Sequence, residues 1–127
     1  MVLKFILMLI SWFFILTASH ANSHHPQEFL HSIEGSKDEG RQIVSHFCSS
    51  CHAVKPLIPL GAPRISNKDD WSPRIKKGLA DLLTHTENGF NAMPPRGGCF
   101  ECTDKQLHLA ILAMLPEALR KLVLDHK

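Results

Sequence analysis

Tyrosine is absent from the 127 residues, and seven Phe with two Trp supply all the aromatic rings. A chain this short buries only about two-thirds of the surface its unfolded form exposes, so few rings means a thin core unless a bulky apolar cofactor helps to fill it. Net charge is scarce too. The formal value of +2 at pH 7 gives no electrostatic case for binding nucleic acid, which needs a strongly basic face. No segment alternates polar and apolar residues with period two, which excludes a sheet and points to an all-α fold. Nor does any apolar run reach the roughly 20 residues of a membrane span.

The longest such run has the form of an export signal. Lys4 gives a positive start, Phe5 to Leu16 an apolar core broken only by Ser11, and Ser19 and Ala21 the small residues of a cleavage site. Residues 1–21 are therefore expected to be a signal peptide cut after Ala21; a cut after Ala18 or retention as an anchor are the rival readings. Export places the four cysteines in an oxidising space, where thiols pair, are modified or bind metal. Residues 22–35, "NSHHPQEFLHSIEG", are polar and rich in histidine and are expected to form a flexible leader. His24, His25 and His31 could capture a metal, but no second ligand set accompanies them.

Ser36 and Glu39 have the spacing of a capping box, followed by Ile43, Val44 and Phe47 at helical spacing. Gly40 lies inside that helix at a cost of roughly 1 kcal/mol against alanine, which is either simply tolerated or justified by a close helix crossing. Pro56, Pro59 and Pro63 make the next segment an ordered loop. Asn67 or Asp69 can cap a further helix in which Pro73 is acceptable only within the first turn. Gly78 divides it from a second helix that buries Leu79, Leu82 and Leu83 and ends at Asn88-Gly89. After the loop "FNAMPPRGGCFEC", a helix opens at Thr103 with Gln106 completing a capping box, and Leu107, Ala110, Ile111 and Met114 form its buried face. Residues 116–127 read as an amphipathic extension of an extra helical turn or two.

The chemistry sits in "CSSCH". On one helical turn, Cys48, Cys51 and His52 share a face. Two thiols so spaced can add to the two vinyl groups of one haem while the histidine reaches its iron, which is the physical sense of C-x-x-C-H. Cys48, Cys51, Cys99 and Cys102 also make C-x-x-C twice, formally a four-thiolate zinc site. Against zinc, 47 residues separate Cys51 from Cys99, well beyond the about 15 to 20 of compact zinc ribbons. A thioredoxin-like redox pair lacks the strand–helix setting that it needs. If haem is held, its sixth position needs a ligand or stays open. Met114 lies on an apolar helix face and is a core residue, whereas Met93 sits in the rigid loop "NAMPPRGG", where a metal ligand gains from rigidity. Thioether ligation opposite histidine raises the reduction potential. His46, His85 and His108 remain alternatives for that position.

"CSSCH", "GAPRISNKDDWSPRIKKG" and "NGFNAMPPRGGCFEC" together resemble the bacterial class I c-type cytochromes, specifically the cytochrome c5 group, over residues 36–115. The resemblance implies a small all-α cytochrome c fold of about four to five helices around one covalently bound haem c per chain. It implies that Cys48 and Cys51 bind the haem, that His52 and Met93 are its axial ligands, and that the Pro63 carbonyl accepts the other N–H of His52. It further implies a disulfide between Cys99 and Cys102 and a close crossing of the first and last helices at Gly40. Val44 departs from the pattern, standing where the family usually carries an aromatic residue.

The expected function is that of an exported one-electron carrier in a respiratory chain, not an enzyme, located in the bacterial periplasm. Its partners would be a membrane quinol-oxidising complex and a terminal oxidase or reductase, with membrane contact only by docking or through a retained signal anchor. The alternatives are a haem enzyme or gas-binding protein with an open sixth site, and a four-cysteine zinc protein. Lys55, Arg64, Lys68, Arg74, Lys76 and Lys77 form a basic segment with Asp69 and Asp70 inside it. It is either a ring that steers an acidic partner or an ordinary solvated surface.

Overall fold

The computed structural model describes residues 25–125; the expected signal peptide at 1–21 lies outside them. In chain order the helices are α1 (Pro26–Ile33), α2 (Glu39–Ile43), α3 (Ser49–His52), α4 (Lys68–Ile75), α5 (Leu79–Asn88), α6 (Asp104–Met114) and α7 (Glu117–Asp125). A π-helical stretch, Val44–Cys48, joins α2 to α3, and a short 3-10 turn covers Pro95–Gly98. Among the described residues the only extended pairing is the isolated bridge between Phe90 and Met93. The fold is all-α.

The expectation of a loose leader is corrected at residues 26–33. Pro26 opens α1, where its fixed φ suits the first turn, and the helix buries Leu30 and Ile33. The Gln106 side-chain amide donates to the Leu30 carbonyl at 3.5 Å, and the Phe29 ring stacks on His46 with centroids 4.3 Å apart. Two turns are too short for a period to show in the sequence, and α1 is held by what it packs on.

The Ser36–Glu39 capping box does not form. The cap of α2 is Asp38, without a side-chain cap bond, and the Glu39 carboxylate turns inward. One oxygen accepts from the Gly35 N–H at 2.8 Å and the other from the Gln106 amide at 3.1 Å. Glu39 is only 3% exposed, so both bonds are needed to offset its burial. Gln106 meanwhile completes the capping box with Thr103 that opens α6. The two ends of the domain are thus tied through one buried amide.

Helices α2 and α6 cross at Gly40. A Cβ there would lie 2.3 Å from the carbonyl oxygen of Leu109 and 2.7 Å from its carbon, distances no side chain tolerates. This is the physical reason for the mid-helix glycine. Ile43, Val44, Leu107, Ala110, Ile111, Met114 and Leu115 are buried around the crossing, so the absent aromatic at Val44 leaves a closed contact. Asn67 caps α4 by accepting from the Asp70 N–H. Pro73 falls in the second turn of α4, against expectation. Its missing N–H costs the Asp69 carbonyl its helical partner, and the helix ends two residues later. Helix α7 is longer than the expected turn or two and buries Leu119.

Gly40→Ala is expected to lower the unfolding free energy by about 2–3 kcal/mol, as overpacking does. Gly35→Ala, which meets no atom within 4 Å but has φ +74°, should cost only about 1 kcal/mol. Denaturant titration of both variants checks the order.

Candidate cofactor site

Between α2, α6 and the loops on either side of α5 lies a cavity of about 330 Å³. The π-helical stretch and α3 bring Cys48, Cys51 and His52 to one wall, as their spacing predicts. Pro63 stands beside them, and Met93 lines the same cavity from the loop after α5. Of the other histidines considered, His85 lines it too, with its ring stacked on Phe90 (centroids 4.1 Å apart) and facing the Asp81 carboxylate at 3.6 Å. His46 packs against Phe29 and Phe47 instead, and His108 borders a separate hollow with Leu83 and Leu112. Met114 is buried on α6 as a core residue and also reaches the cavity wall.

His52 is oriented by one contact. Its Nδ1 lies 2.8 Å from the Pro63 carbonyl oxygen. A carbonyl can only accept, so Nδ1 carries the proton and the Nε2 lone pair is left for a metal. The loop holding Pro63 is pinned around it. The Ile65 N–H donates to the His52 carbonyl and the Ser66 N–H to the Met114 carbonyl, each at 2.8 Å. Buried Trp71 donates its indole N–H to the Arg64 carbonyl at 2.9 Å. Arg64 in turn grips Asp70, Nε to Oδ2 at 2.8 Å, and its own backbone N–H donates to the same oxygen at 3.0 Å. Those side-chain and backbone hydrogen bonds from Arg64 hold the Asp70 carboxyl down at about 2.

The Met93 loop is equally constrained. Phe90 and Met93 exchange both backbone hydrogen bonds, at 3.1 and 2.9 Å. Gly89 has φ +82°, and a Cβ on it would meet the Met93 carbonyl oxygen at 2.8 Å, so only glycine fits. A disulfide joins Cys99 to Cys102, both buried. The Arg96 guanidinium donates to the Cys102 carbonyl and, at 3.0 Å, to Asp104 at the start of α6.

This donor set fits a covalently attached haem. Among the described residues its walls are largely apolar and carry no carboxylate, and on them stand two thiols on one turn, an imidazole with Nε2 free and a thioether. Burial, with Cys51 adding a smaller effect, pushes the Cys48 thiol up to about 11, so the uncoordinated side chain is a neutral thiol at neutral pH. The sulfurs of Cys99 and Cys102 are bonded to each other. The described residues assemble no group of three or more His, Cys, Asp or Glu able to hold a metal ion. The four-thiolate reading therefore has no site. Sequence reasoning missed Trp71, the pairing of Arg64 with Asp70 behind the histidine loop, and Arg96 on the cavity wall; Arg74, named only as part of the basic segment, borders the cavity too.

Comparison with known proteins agrees with this chemistry. Residues 35–111, more than half the chain, match the family model described as cytochrome c oxidase, cbb3-type, subunit III. Cytochrome c5 of Azotobacter vinelandii is 37% identical over 79 residues, covering 61% of this chain and 92% of that protein. Cytochrome c5 of Ectopseudomonas mendocina is 35% identical over 85 residues, 65% of this chain and 94% of that one. Cytochrome c-555 of Chlorobaculum tepidum is 29% identical over 83 residues, covering 62% and 74% respectively.

Asp70 supplies a pH test. Its folded value of about 2 lies below the ordinary 3.8. The stability it contributes is therefore present above about pH 4 and lost as pH falls from there towards 2. Asp70→Asn should be less stable than the wild type at pH 7, with the gap closing over that window. Urea midpoints at pH 7, 4 and 2.5 measure it.

Proposed function

The chain belongs to the class I c-type cytochromes, in the cytochrome c5 group, and from that premise we propose an exported carrier of single electrons in a respiratory chain, with His52 and Met93 as axial ligands. Electron carriage through covalently bound haem c is the family's work. Haem held in the cavity would supply a one-electron Fe(III)/Fe(II) couple. Every other part of the task falls to the polypeptide. Cys48 and Cys51 would tether the cofactor by thioether bonds. His52, held by Pro63, presents Nε2 in a fixed direction. Met93, on a loop stiffened by Gly89 and the Cys99–Cys102 disulfide, would offer a soft sulfur as the second ligand.

The observation that carries this reading is the 2.8 Å contact between His52 Nδ1 and the Pro63 carbonyl, with Met93 on the same cavity. With both His52 and Met93 as ligands, the iron would have no coordination position left for substrate, which favours a carrier over a haem enzyme or gas-binding protein. The same two ligands would suit both oxidation states, so little reorganisation would oppose electron transfer. Among the described residues no helix is long and apolar enough to cross a membrane. Location in the periplasm, and exchange of electrons with a quinol-oxidising complex and a terminal oxidase or reductase, complete the proposal.

Met93→Ala should abolish the weak far-red ferric band that marks a thioether on haem iron. It should also lower the reduction potential by on the order of 0.1 V, a fraction of the roughly 0.8 V that axial ligation spans. An unchanged spectrum removes Met93 from the iron. Replacing both Cys48 and Cys51 by Ser should make the haem extractable by acid acetone, which the wild type resists.

A further inference from the structure

Three residues after Met93 the backbone takes a conformation that only glycine adopts freely. Arg96 has φ +58°, in the left-handed region that other side chains rarely enter. Gly97 and Gly98 follow at +60° and +83°, where the lack of a Cβ removes the penalty. A glycine at position 96 would suit the same turn better. Strain kept beside a functional side chain points to a task for the residue that bears it, and here the task must lie in the arginine side chain, which also lines the cavity.

Arg96 holds both ends of the disulfide turn. Its carbonyl accepts from the Cys99 N–H at 3.1 Å. Its guanidinium Nη2 donates to the carbonyl of buried Cys102 and to the Asp104 carboxylate. On the methionine side, Pro94 fixes φ and its carbonyl accepts from the Gly97 N–H at 3.0 Å. The acceptors on Nη2 are unequal. Asp104 has a side chain 76% exposed, so its ion pair contributes little in water. The Cys102 carbonyl belongs to a buried residue, where a hydrogen bond from a charged donor counts for more. One side chain thus closes the segment from Pro94 to Cys102.

Met93 rests against this turn. A Cβ built on Gly97 would lie 3.5 Å from the Met93 Cε, so the bare Gly97 α-carbon faces the methionine methyl. A thioether sulfur carries more than one lone pair, and the position of its methyl decides which is presented. Resting on the carrier reading, we propose that Arg96 is a positioning residue for Met93. By tying its turn to the Cys102 carbonyl, it keeps Gly97 against the methyl and holds the sulfur in one orientation for the iron. Displacing Met93 opens the turn, and opening breaks the guanidinium bond.

The test titrates ferric, haem-loaded protein with imidazole, which displaces Met93, and follows loss of the far-red band. Arg96→Gly relieves the left-handed strain and removes the guanidinium, so the turn itself is kept. It should bind imidazole roughly tenfold more tightly than the wild type, the worth of one charge-assisted hydrogen bond. Asp104→Ala, which removes only the exposed acceptor, should stay near the wild type. So should Gly35→Ala, which loses stability outside this loop. Wild-type imidazole affinity in Arg96→Gly overturns the proposal. An equal gain in Asp104→Ala also overturns it, by assigning the effect to the exposed ion pair, and an equal gain in Gly35→Ala does so by assigning it to stability alone. A far-red band that survives Met93→Ala brings down the ligation reading and this proposal together; where the band depends on Met93, the imidazole affinities alone decide.

Discussion

One hydrogen bond, from the imidazole Nδ1 of His52 to the carbonyl of Pro63 at 2.8 Å, sets the requirement that much of the structure serves. An imidazole free to rotate or to change tautomer is a poor metal ligand. Fixing it requires a carbonyl at one place, and hence a loop that cannot move. Three prolines stiffen that loop, Ile65 and Ser66 fasten its far end to His52 and Met114, and Trp71 holds the Arg64 carbonyl. The Arg64–Asp70 pair closes the loop onto α4. Because Asp70 also supplies the N–H that Asn67 caps, the start of α4 and the end of the histidine loop form one unit.

The Met93 loop, which lines the same cavity, is made rigid by different means. Met93 has a flexible side chain, and rigidity there comes from the backbone. Close approach at Gly89, the bridge to Phe90 and the Cys99–Cys102 link leave the loop little freedom. Arg96 and the Thr103–Gln106 capping box then fix it to α6. Helices α2 and α6, which both line the cavity, touch backbone to backbone at Gly40. Packing, loop rigidity and ligand placement are therefore parts of one arrangement.

What was legible in the sequence follows the range of the interactions involved. Cys48, Cys51 and His52 could be read because they share one turn, and α6 because its cap and its apolar stripe agree over eleven residues. The mid-helix cost of Gly40 admitted a crossing or mere tolerance, and family resemblance chose the crossing. Helix α1 could not, since its eight residues depend on Gln106, far along the chain, for their tie to the core. Glu39 misled for the same cause: its spacing from Ser36 fitted a cap, but a buried amide competed for the carboxylate and won. The Pro63 contact came only from family resemblance. The Trp71–Arg64–Asp70 support behind it leaves no local pattern, because its members meet only after the loop has closed.

The account stands on iron held by His52 on one side and Met93 on the other, within one covalently bound haem. Proton NMR of the reduced, diamagnetic protein tests this most directly. A methionine methyl lying over the porphyrin face is shifted far upfield by the ring current. The account predicts one such methyl, assigned to Met93, together with a slowly exchanging Nδ1 proton on His52. A high-spin spectrum with no upfield methyl, or an upfield methyl assigned to Met114, contradicts it.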